Sequence, residues 1–362
     1  MKKLNLIMAL CLPLALAVSS CQKDDATTTP DSSGSGGATG KALTKIAEVS
    51  YSKHYSDYTP DYTSGSCGSL ELRYSNGLIT HVEDVYWGSE GEERIPYDVN
   101  YGANGHLVSI SNGEETITPE VTYDADGHIT CVYITYSSSW ERITYTWENG
   151  VIIRKTEESS HDNTPDITNY RWENGNMVEQ VWVGSDQRET YTYVYDSHPN
   201  YMTSYGQLPF IMDMEKIICM SKNNVIQRTR TVEYVGGSTS STSYSYIYTY
   251  GSDGYPVSFR EVRNNNYQGG YYTEYNDVTY LTYADGSGTT APTLYRINVN
   301  KNNNDAGWQN GGGYYEYGAT VIIKADNNYG YRFVRWNDGN TDNPRTFFCT
   351  GEASYTAIYE AN

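Results

Sequence analysis

The sequence predicts an all-β protein, with a long antiparallel β-meander of repeated hairpins and a small C-terminal β-rich, β-grasp-like module. Three observations support this fold class. The chain has 38 tyrosines and 33 glycines but is only 38% hydrophobic, a composition typical of strands that pack through tyrosine. Short glycine-containing turns recur along residues 41–288, and runs of alternating apolar and polar residues flank these turns.

The N-terminal residues 1–20 predict a lipoprotein signal peptide. Lys2 and Lys3 precede an apolar stretch that is too short for a membrane span, and small residues follow it directly before Cys21. A cysteine at the cleavage site predicts that Cys21 is the lipid attachment residue, modified with diacylglycerol and palmitate. The acyl chains on Cys21 would hold the protein on the membrane, since two or more chains anchor stably.

Directly after the cysteine, Gln22, Lys23, Asp24 and Asp25 resemble the surface-export signal of Bacteroidota lipoproteins. The resemblance implies a lipid-anchored protein of the outer membrane that is exposed on the cell surface. Residues 21–40 are rich in Thr, Ser and Gly and contain too few apolar residues to form a core. They predict a flexible tether between the anchor and the folded part.

Residues 41–288 repeat one motif, in which an aromatic residue is followed by a short polar turn, usually ending in glycine, and then by an alternating run. Asn-Gly and Asp-Gly turns between such runs are strong hairpin signals, because both turn residues need a positive φ. Each unit is therefore predicted to be two strands of a meander. The motif begins at Tyr74, Tyr101, Tyr123, Trp147, Trp172, Tyr195, Tyr250 and Tyr283.

The strands present one aromatic face, as in the run that places Tyr191, Tyr193 and Tyr195 on the same side. Cross-strand pairs give roughly 0.2–1 kcal/mol each, less than the cost of ordering the chain, so the aromatic face must be buried. The sheet is expected to curl on itself or to fold over as two layers. Residues 201–220 break the alternation, and we expect either a plug inside a curled sheet or an irregular loop on an edge.

Two resemblances follow from these residues. The unit Tyr123-D-A-D-G-H-Ile129 is similar to the YD repeats of RHS-type proteins, and the array resembles a repeat domain of unknown function in Bacteroidota surface lipoproteins. Residues 289–362 resemble the divergent internalin-B-type B repeat, through Gly318-A-T-V-Ile322, Tyr329-G-Y-R-F-V-R-W-N-D-Gly339 and Ala353-S-Y-T-A-I-Tyr359. That resemblance implies a small β-rich module, of a kind that usually acts as a spacer or an adhesive unit.

Several kinds of chemistry are disfavoured. A formal net charge of −19 argues against a nucleic-acid partner. The sequence contains no recognised catalytic motif, so we expect neither an enzyme nor a cofactor. His106, His128 and the Asp124–Gly127 turn offer metal-binding atoms, but turn chemistry explains them, and no metal is expected. The cysteines after the anchor are either buried singly or paired in one of three ways, at positions 67, 131, 219 and 349.

Aromatic side chains are the remaining candidates for ligand binding, because tyrosine and tryptophan stack on sugars and form hot spots at interfaces. Two glycine-rich stretches are expected to expose such rings, although packing in the core is the alternative for each ring. The candidate ligand-binding aromatics are Tyr267, Tyr271, Tyr272, Tyr275, Trp308 and Tyr314.

The sequence therefore predicts a cell-surface lipoprotein that acts as a non-catalytic binding or adhesion module for a glycan or a host protein. A structural spacer or assembly subunit of a surface complex is the main alternative. A hydrolase of a new kind is a third hypothesis, which would require convergent carboxylates or a His–Asp pair in a deep pocket.

Overall fold

The computed structural model describes residues 40–88, 91–113, 116–161, 164–210, 216–263 and 271–362. The predicted signal peptide, Cys21, the export signal at 22–25 and all of the predicted tether except Gly40 lie outside these residues. The described residues form strands joined by turns and three short 3-10 helices. Among them, no helix has the length and apolarity that crossing a membrane requires. The predicted all-β fold is confirmed.

The first part of the meander contains thirteen strands, and their direction alternates along the chain. They are β1 (Leu43–Ser56), β2 (Thr59–Ser75), β3 (Leu78–Gly88), β4 (Gly91–Tyr101), β5 (Leu107–Ser111), β6 (Thr116–Ile117), β7 (Glu120–Tyr123), β8 (Ile129–Thr135), β9 (Trp140–Glu148), β10 (Val151–Ser159), β11 (Asp166–Glu173), β12 (Asn176–Val183) and β13 (Gln187–Pro199).

Three 3-10 helices then interrupt the strands, and the meander resumes for four more strands before the C-terminal module. The helices are η1 (Tyr201–Tyr205), η2 (Leu208–Phe210) and η3 (Lys216–Met220), and the strands are β14 (Asn223–Tyr234), β15 (Thr239–Tyr250), β16 (Pro256–Arg263) and β17 (Tyr272–Tyr283).

The meander is one antiparallel sheet that curls round. β1 pairs with β2 on one side and with β17 on the other, so seventeen strands form one ladder from β7 through β17 and β1 to β6. At the usual strand spacing this ladder is about 80 Å wide. Its two ends follow each other in the chain, and Ile117 and Glu120 can be at most about 11 Å apart. The ladder therefore returns almost to its start and is open between β6 and β7, because among the described residues β6 pairs with β5 and β7 with β8.

The predicted glycine turns lie together at one end of the curled sheet, called here the glycine-turn end. The Asn-Gly turns at 76–77, 149–150 and 174–175 have a positive φ at both residues, as the hairpin prediction requires. The opposite end carries the turn between β1 and β2 at residues 57–58, and is called here the open end. The two ends have different contents, because only the first is filled by the 3-10 helices.

The aromatic residue that opens each repeat has a structural role. The indole N–H groups of Trp147 and Trp172 donate to the carbonyls of Ile129 and Ile152, at 2.8 and 2.7 Å. Each acceptor lies two residues after the turn glycine of the preceding unit. The hydroxyls of Tyr195 and Tyr283 donate in the same way to the carbonyls of Met177 and Pro256, at 2.5 and 2.7 Å. Neighbouring units are thus joined near their turns.

The described parts of the 201–220 segment, 201–210 and 216–220, plug the curled sheet, which decides between the two alternatives that the sequence left open. Residues Tyr201, Tyr205 and Leu208 of this segment are buried in one core cluster with residues from strands on both sides of the ladder. Gln207 donates to the carbonyl of Gly105 at 3.0 Å and accepts from the hydroxyl of Tyr123 at 2.8 Å. The plug therefore completes both the apolar packing and the hydrogen bonding of the glycine-turn end.

The four cysteines at positions 67, 131, 219 and 349 form no disulfide. Cys67, Cys219 and Cys349 are buried, and burial raises the pKa of the Cys67 thiol well above its ordinary value. A buried thiol in its neutral form packs as a small apolar residue. The structure thus agrees with single burial and with none of the three pairings.

Asp84 is a buried charge on the inner face of the sheet. It is 4% exposed, lies opposite Leu70 and Ile95 on the neighbouring strands, and its Oδ1 accepts no hydrogen bond from any described residue. Burial raises the pKa of the Asp84 carboxyl from 3.8 to about 6. The folded state consequently holds the Asp84 proton more tightly than the unfolded state.

This carboxyl makes stability depend on pH. Because the folded pKa is the higher one, the free energy of unfolding falls as pH rises from about 4 to about 6 and then levels off. We expect Asp84→Asn to raise the free energy of unfolding at pH 7 by about 3 kcal/mol and to remove this dependence. Urea denaturation at pH 4.5 and 7 measures both effects, with the exposed Asp305→Asn as control. Equal changes in the free energy of unfolding for Asp84→Asn and Asp305→Asn would contradict the raised pKa of Asp84.

The C-terminal module consists of seven short strands in two packed layers. One layer has the order β20, β18, β24, β22, in which β18 and β24 are parallel, and the other has the order β19, β21, β23. Trp336 is fully buried between the layers and donates to the carbonyl of Asp342 at 2.9 Å. The strands are β18 (Leu294–Lys301), β19 (Gly307–Asn310), β20 (Gly313–Glu316), β21 (Thr320–Asn327), β22 (Tyr331–Trp336), β23 (Arg345–Phe348) and β24 (Ala353–Ala361).

This module packs on the outer face of β1 and β2. The Thr63 hydroxyl accepts from the backbone N–H of Ile322 at 2.9 Å, and the Tyr315 hydroxyl donates to the carbonyl of Thr63 at 3.1 Å. The backbones of Gly65 and Gly313 meet in a single parallel bridge. These contacts fix the module against the part of β2 that leads to the open end.

Candidate ligand-binding site

A cleft of about 530 Å³ lies at the open end, where β1, β2, β15, β16 and β17 come together. Its volume falls in the range of pockets that take small ligands. The lining is aromatic and polar, and consists of His54, Tyr55, Asp61, Tyr62, Thr242, Tyr244, Arg263, Tyr271, Tyr272, Thr273 and Tyr275.

Two stacked ring pairs line the cleft, and they come from adjacent positions of β1. His54 lies opposite Tyr62 on the neighbouring strand, and their ring centroids are 4.2 Å apart. Tyr55 lies opposite Tyr272 of β17, and these rings are also 4.2 Å apart. Cross-strand neighbours in an antiparallel ladder are close enough for such stacking, so the register of β1 with β2 and β17 sets both ring pairs.

The His54 imidazole is held between two hydroxyl groups. Its Nδ1 is 3.0 Å from Thr273 Oγ1, and its Nε2 is 3.1 Å from Ser64 Oγ. Burial lowers the pKa of His54 below its ordinary value of 6.5, and the nearby Asp61 carboxylate offsets this only in part. The ring is therefore neutral at pH 7, with one nitrogen donating and the other accepting.

The charged groups of the cleft are paired. Arg263 Nε is 2.5 Å from Glu261 Oε1, and Arg263 Nη2 is 2.9 Å from Asp277 Oδ2. The same guanidinium lies 5.0 Å from the centre of the Tyr275 ring. Asp61 forms an ion pair with Lys324 of the C-terminal module at 2.9 Å. The cleft is thus rich in polar groups and has little net charge.

Some rings in the cleft remain available to a ligand. Tyr271 is 60% exposed and directly precedes β17, and Tyr275 is 43% exposed within β17. Exposed tyrosine faces on a concave surface can stack against a flat apolar group, and their hydroxyls can hydrogen-bond. The cleft therefore combines aromatic faces with hydroxyl groups and with the His54 imidazole, which can donate or accept a hydrogen bond.

The structure brings three of the sequence-predicted aromatics together, because Tyr271, Tyr272 and Tyr275 all line the cleft. Tyr267 lies outside the described residues. Trp308 is exposed on β19, with Lys301 Nζ 5.5 Å from its ring, and does not line the cleft. Tyr314 packs at the interface between the module and the meander, against the cluster around Cys67.

The sequence did not single out His54, Tyr55, Asp61 and Tyr62, which line the cleft together with these tyrosines. The aromatic alternation around the 57–58 turn was the available signal. It could not be used alone, because the partner strand β17 lies at the far end of the meander in sequence.

The turn at Asp124, Asp126 and His128 groups three possible metal ligands within 4.8 Å of one another. Asp124 Oδ1 accepts from the backbone N–H groups of Asp126 and His128, at 3.0 and 2.8 Å, and the His128 ring stacks on Trp147 at 4.3 Å. His106 stacks on Tyr123 in the same way, at 3.6 Å. These contacts account for the grouping through the turn itself.

Comparison with known proteins gives a family match in the C-terminal module and likenesses to solved structures, two of which are as follows. A crystal structure of a porin-like protein from Bacteroides uniformis ATCC 8492 is 12% identical, with a TM-score of 0.46, over 67% of this chain and 96% of that chain. One from Bacteroides vulgatus ATCC 8482 is 14% identical, with a TM-score of 0.30, over 67% and 99%. No curated protein sequence matches the chain. Residues 297–362 match the divergent InlB B-repeat domain, in agreement with the resemblance found in the C-terminal module.

Proposed function

We propose that the protein is a lipid-anchored, non-catalytic binding module on the cell surface, and that the cleft at the open end is its binding site. The observation that carries the proposal is the exposure of Tyr271 and Tyr275 inside a built cleft. Buried polar groups and stacked rings hold the walls of this cleft in place, so a ligand would meet a preformed surface.

The proposed location on the cell surface rests on the sequence. A lipid on Cys21 and the export signal at 22–25 would place the folded part outside the outer membrane, at the end of a tether. We further propose that the meander is related to YD repeats, because its turn glycines and aromatic residues recur with one geometry. A divergent B repeat at the C-terminus is compatible with such a surface module.

Removal of two cleft rings tests the binding site. We expect the double variant Tyr271→Ala, Tyr272→Ala to weaken binding at least about tenfold, because stacked rings dominate such contacts. The measurement is a titration of the ligand found on a glycan and matrix-protein array. Tyr329→Ala is the matched control, since Tyr329 is fully exposed on the C-terminal module. Equal affinities of both variants, with unchanged thermal melting, would show that the cleft is not the binding site.

An assembly subunit is the second candidate function, favoured by the opening of the ladder between β6 and β7. Strand edges that are not paired can receive a strand of another chain. Affinity purification from membranes would return a defined stoichiometric complex under this alternative. The binding-module proposal predicts that the protein is recovered without one.

A further inference from the structure

We propose that the open-end cleft takes a short neutral oligosaccharide, and this inference rests on the proposed binding function. Three features of the described residues identify this ligand class. They are the mixture of aromatic faces with hydroxyl groups, the pairing of nearly every nearby charge, and the concave shape of the site.

The first feature matches the two surfaces of a sugar ring. A pyranose presents an apolar face of C–H groups and a rim of hydroxyls. The exposed rings of Tyr271 and Tyr275 offer flat partners for the apolar face. Thr242, Thr273 and the Asp61 carboxylate, all in the same lining, offer donors and acceptors for the rim.

The second feature disfavours acidic glycans. Arg263 is the single arginine or lysine among the described lining residues, and it already contacts the carboxylates of Glu261 and Asp277. His54 is neutral at pH 7, because burial lowers its pKa. An acidic sugar would enter without an unpaired cation to receive its charge, which is unfavourable in a partly desolvated site.

Two further cations lie next to lining residues, and both contact aromatic rings. Lys53 lies directly opposite Glu274 on the neighbouring strand, and its ammonium also lies 5.1 Å from the ring of Tyr55. Arg228 lies against Tyr244, with 4.8 Å between the guanidinium and the ring centre. The formal charge of the chain is −19, so its long-range field repels polyanions.

The third feature favours a small ligand over a protein. Stable protein interfaces bury about 800 Å² on each partner, usually on gently curved surfaces. Here the exposed rings lie within a cleft of about 530 Å³, a volume that suits a few sugar units. A protein loop inserted into the cleft is the competing occupant, and the experiment must distinguish it.

The test uses the full chain carrying Cys21→Ser, so that it is not acylated. The probes are neutral gluco-, manno-, xylo- and galacto-oligosaccharides, sialylated, uronate and sulfated oligosaccharides, and immobilised collagen, laminin and fibronectin. We expect binding to neutral oligosaccharides only, with an affinity that changes less than about twofold between low and high salt. Tyr271→Ala should weaken this binding at least about tenfold, and Tyr271→Phe should retain most of it.

The possible results distinguish an error in the ligand class from an error in the position of the binding site. Binding of an acidic glycan or a matrix protein that is lost in Tyr271→Ala would overturn the ligand class and keep the cleft as the site. Neutral-sugar binding that survives Tyr271→Ala, in a variant with unchanged melting, would overturn the cleft. Failure of every probe to bind would overturn both this inference and the proposed binding function.

Discussion

Gly65→Val is expected to loosen the C-terminal module from the meander and to lower the free energy of unfolding by at least about 3 kcal/mol. A Cβ atom at Gly65 would lie 1.9 Å from the carbonyl oxygen of Tyr314, and one at Gly313 would lie 2.2 Å from that of Gly65. Both obstacles are backbone atoms, which no side-chain rotation can move. The two strands must therefore separate, and the contacts of Thr63 with the module would be lost as well.

Differential scanning calorimetry with urea denaturation measures this effect. Ser66→Val is the matched control, because Ser66 is the next residue of β2, is exposed, and lies on the opposite face of the strand. We expect an earlier transition in Gly65→Val only. If Gly65→Val and Ser66→Val unfold alike, the module does not depend on this backbone contact.

Leu208→Ala is expected to lower the free energy of unfolding by about 3–5 kcal/mol, the cost of a cavity at a fully buried leucine. Leu208 is 0% exposed in the middle of the plug. The segment around it is held on both sides, since Gln207 bonds to the first part of the meander and Phe210 packs edge-on against Tyr145 at 5.1 Å. Little room is therefore left for the site to collapse.

The control for this variant is Val235→Ala, at an 80% exposed position in the turn between β14 and β15. Its effect should stay within about 0.5 kcal/mol. Chemical denaturation followed by far-ultraviolet circular dichroism gives both values. A loss below about 1 kcal/mol for Leu208→Ala would mean that the 201–220 segment lies loosely inside the sheet and does not hold it together.

Local features of the fold were predictable because their causes are local. An Asn-Gly pair adopts positive φ values wherever it lies, so the turns at 76–77, 149–150 and 174–175 could be placed from the sequence. The tyrosine alternation likewise placed Tyr191, Tyr193 and Tyr195 on one face, and all three are partly buried. The meander followed from these two signals.

Long-range features were not predictable, since nothing local encodes them. The pairing of β1 with β17, which makes the sheet curl, joins Leu43 to Tyr283. The position of the plug depends on space that exists only after this pairing has formed. The environment of Asp84 is a further example, because Leu70 and Ile95, which lie opposite it, are brought there only by strand pairing.

The candidate site also has a part that was predictable from local sequence and a part that was not. The glycine-rich sequence indicated Tyr271, Tyr272 and Tyr275, whereas the rings of His54, Tyr55 and Tyr62 come from the start of the meander. Trp308 and Tyr314 were selected by the same glycine signal but lie on the C-terminal module, away from the cleft. The glycine signal indicates a ring beside a turn, and tertiary packing then decides which rings share a surface.

A hydrogen–deuterium exchange footprint of the bound ligand tests the central claim most directly. A ligand in the open-end cleft should slow exchange at the end of β1, at the start of β2 and at the start of β17, because these segments line the cleft. The glycine-turn end and the C-terminal module around Trp308 should exchange as before. Protection confined to those regions, with none near His54 or Tyr272, would contradict the account.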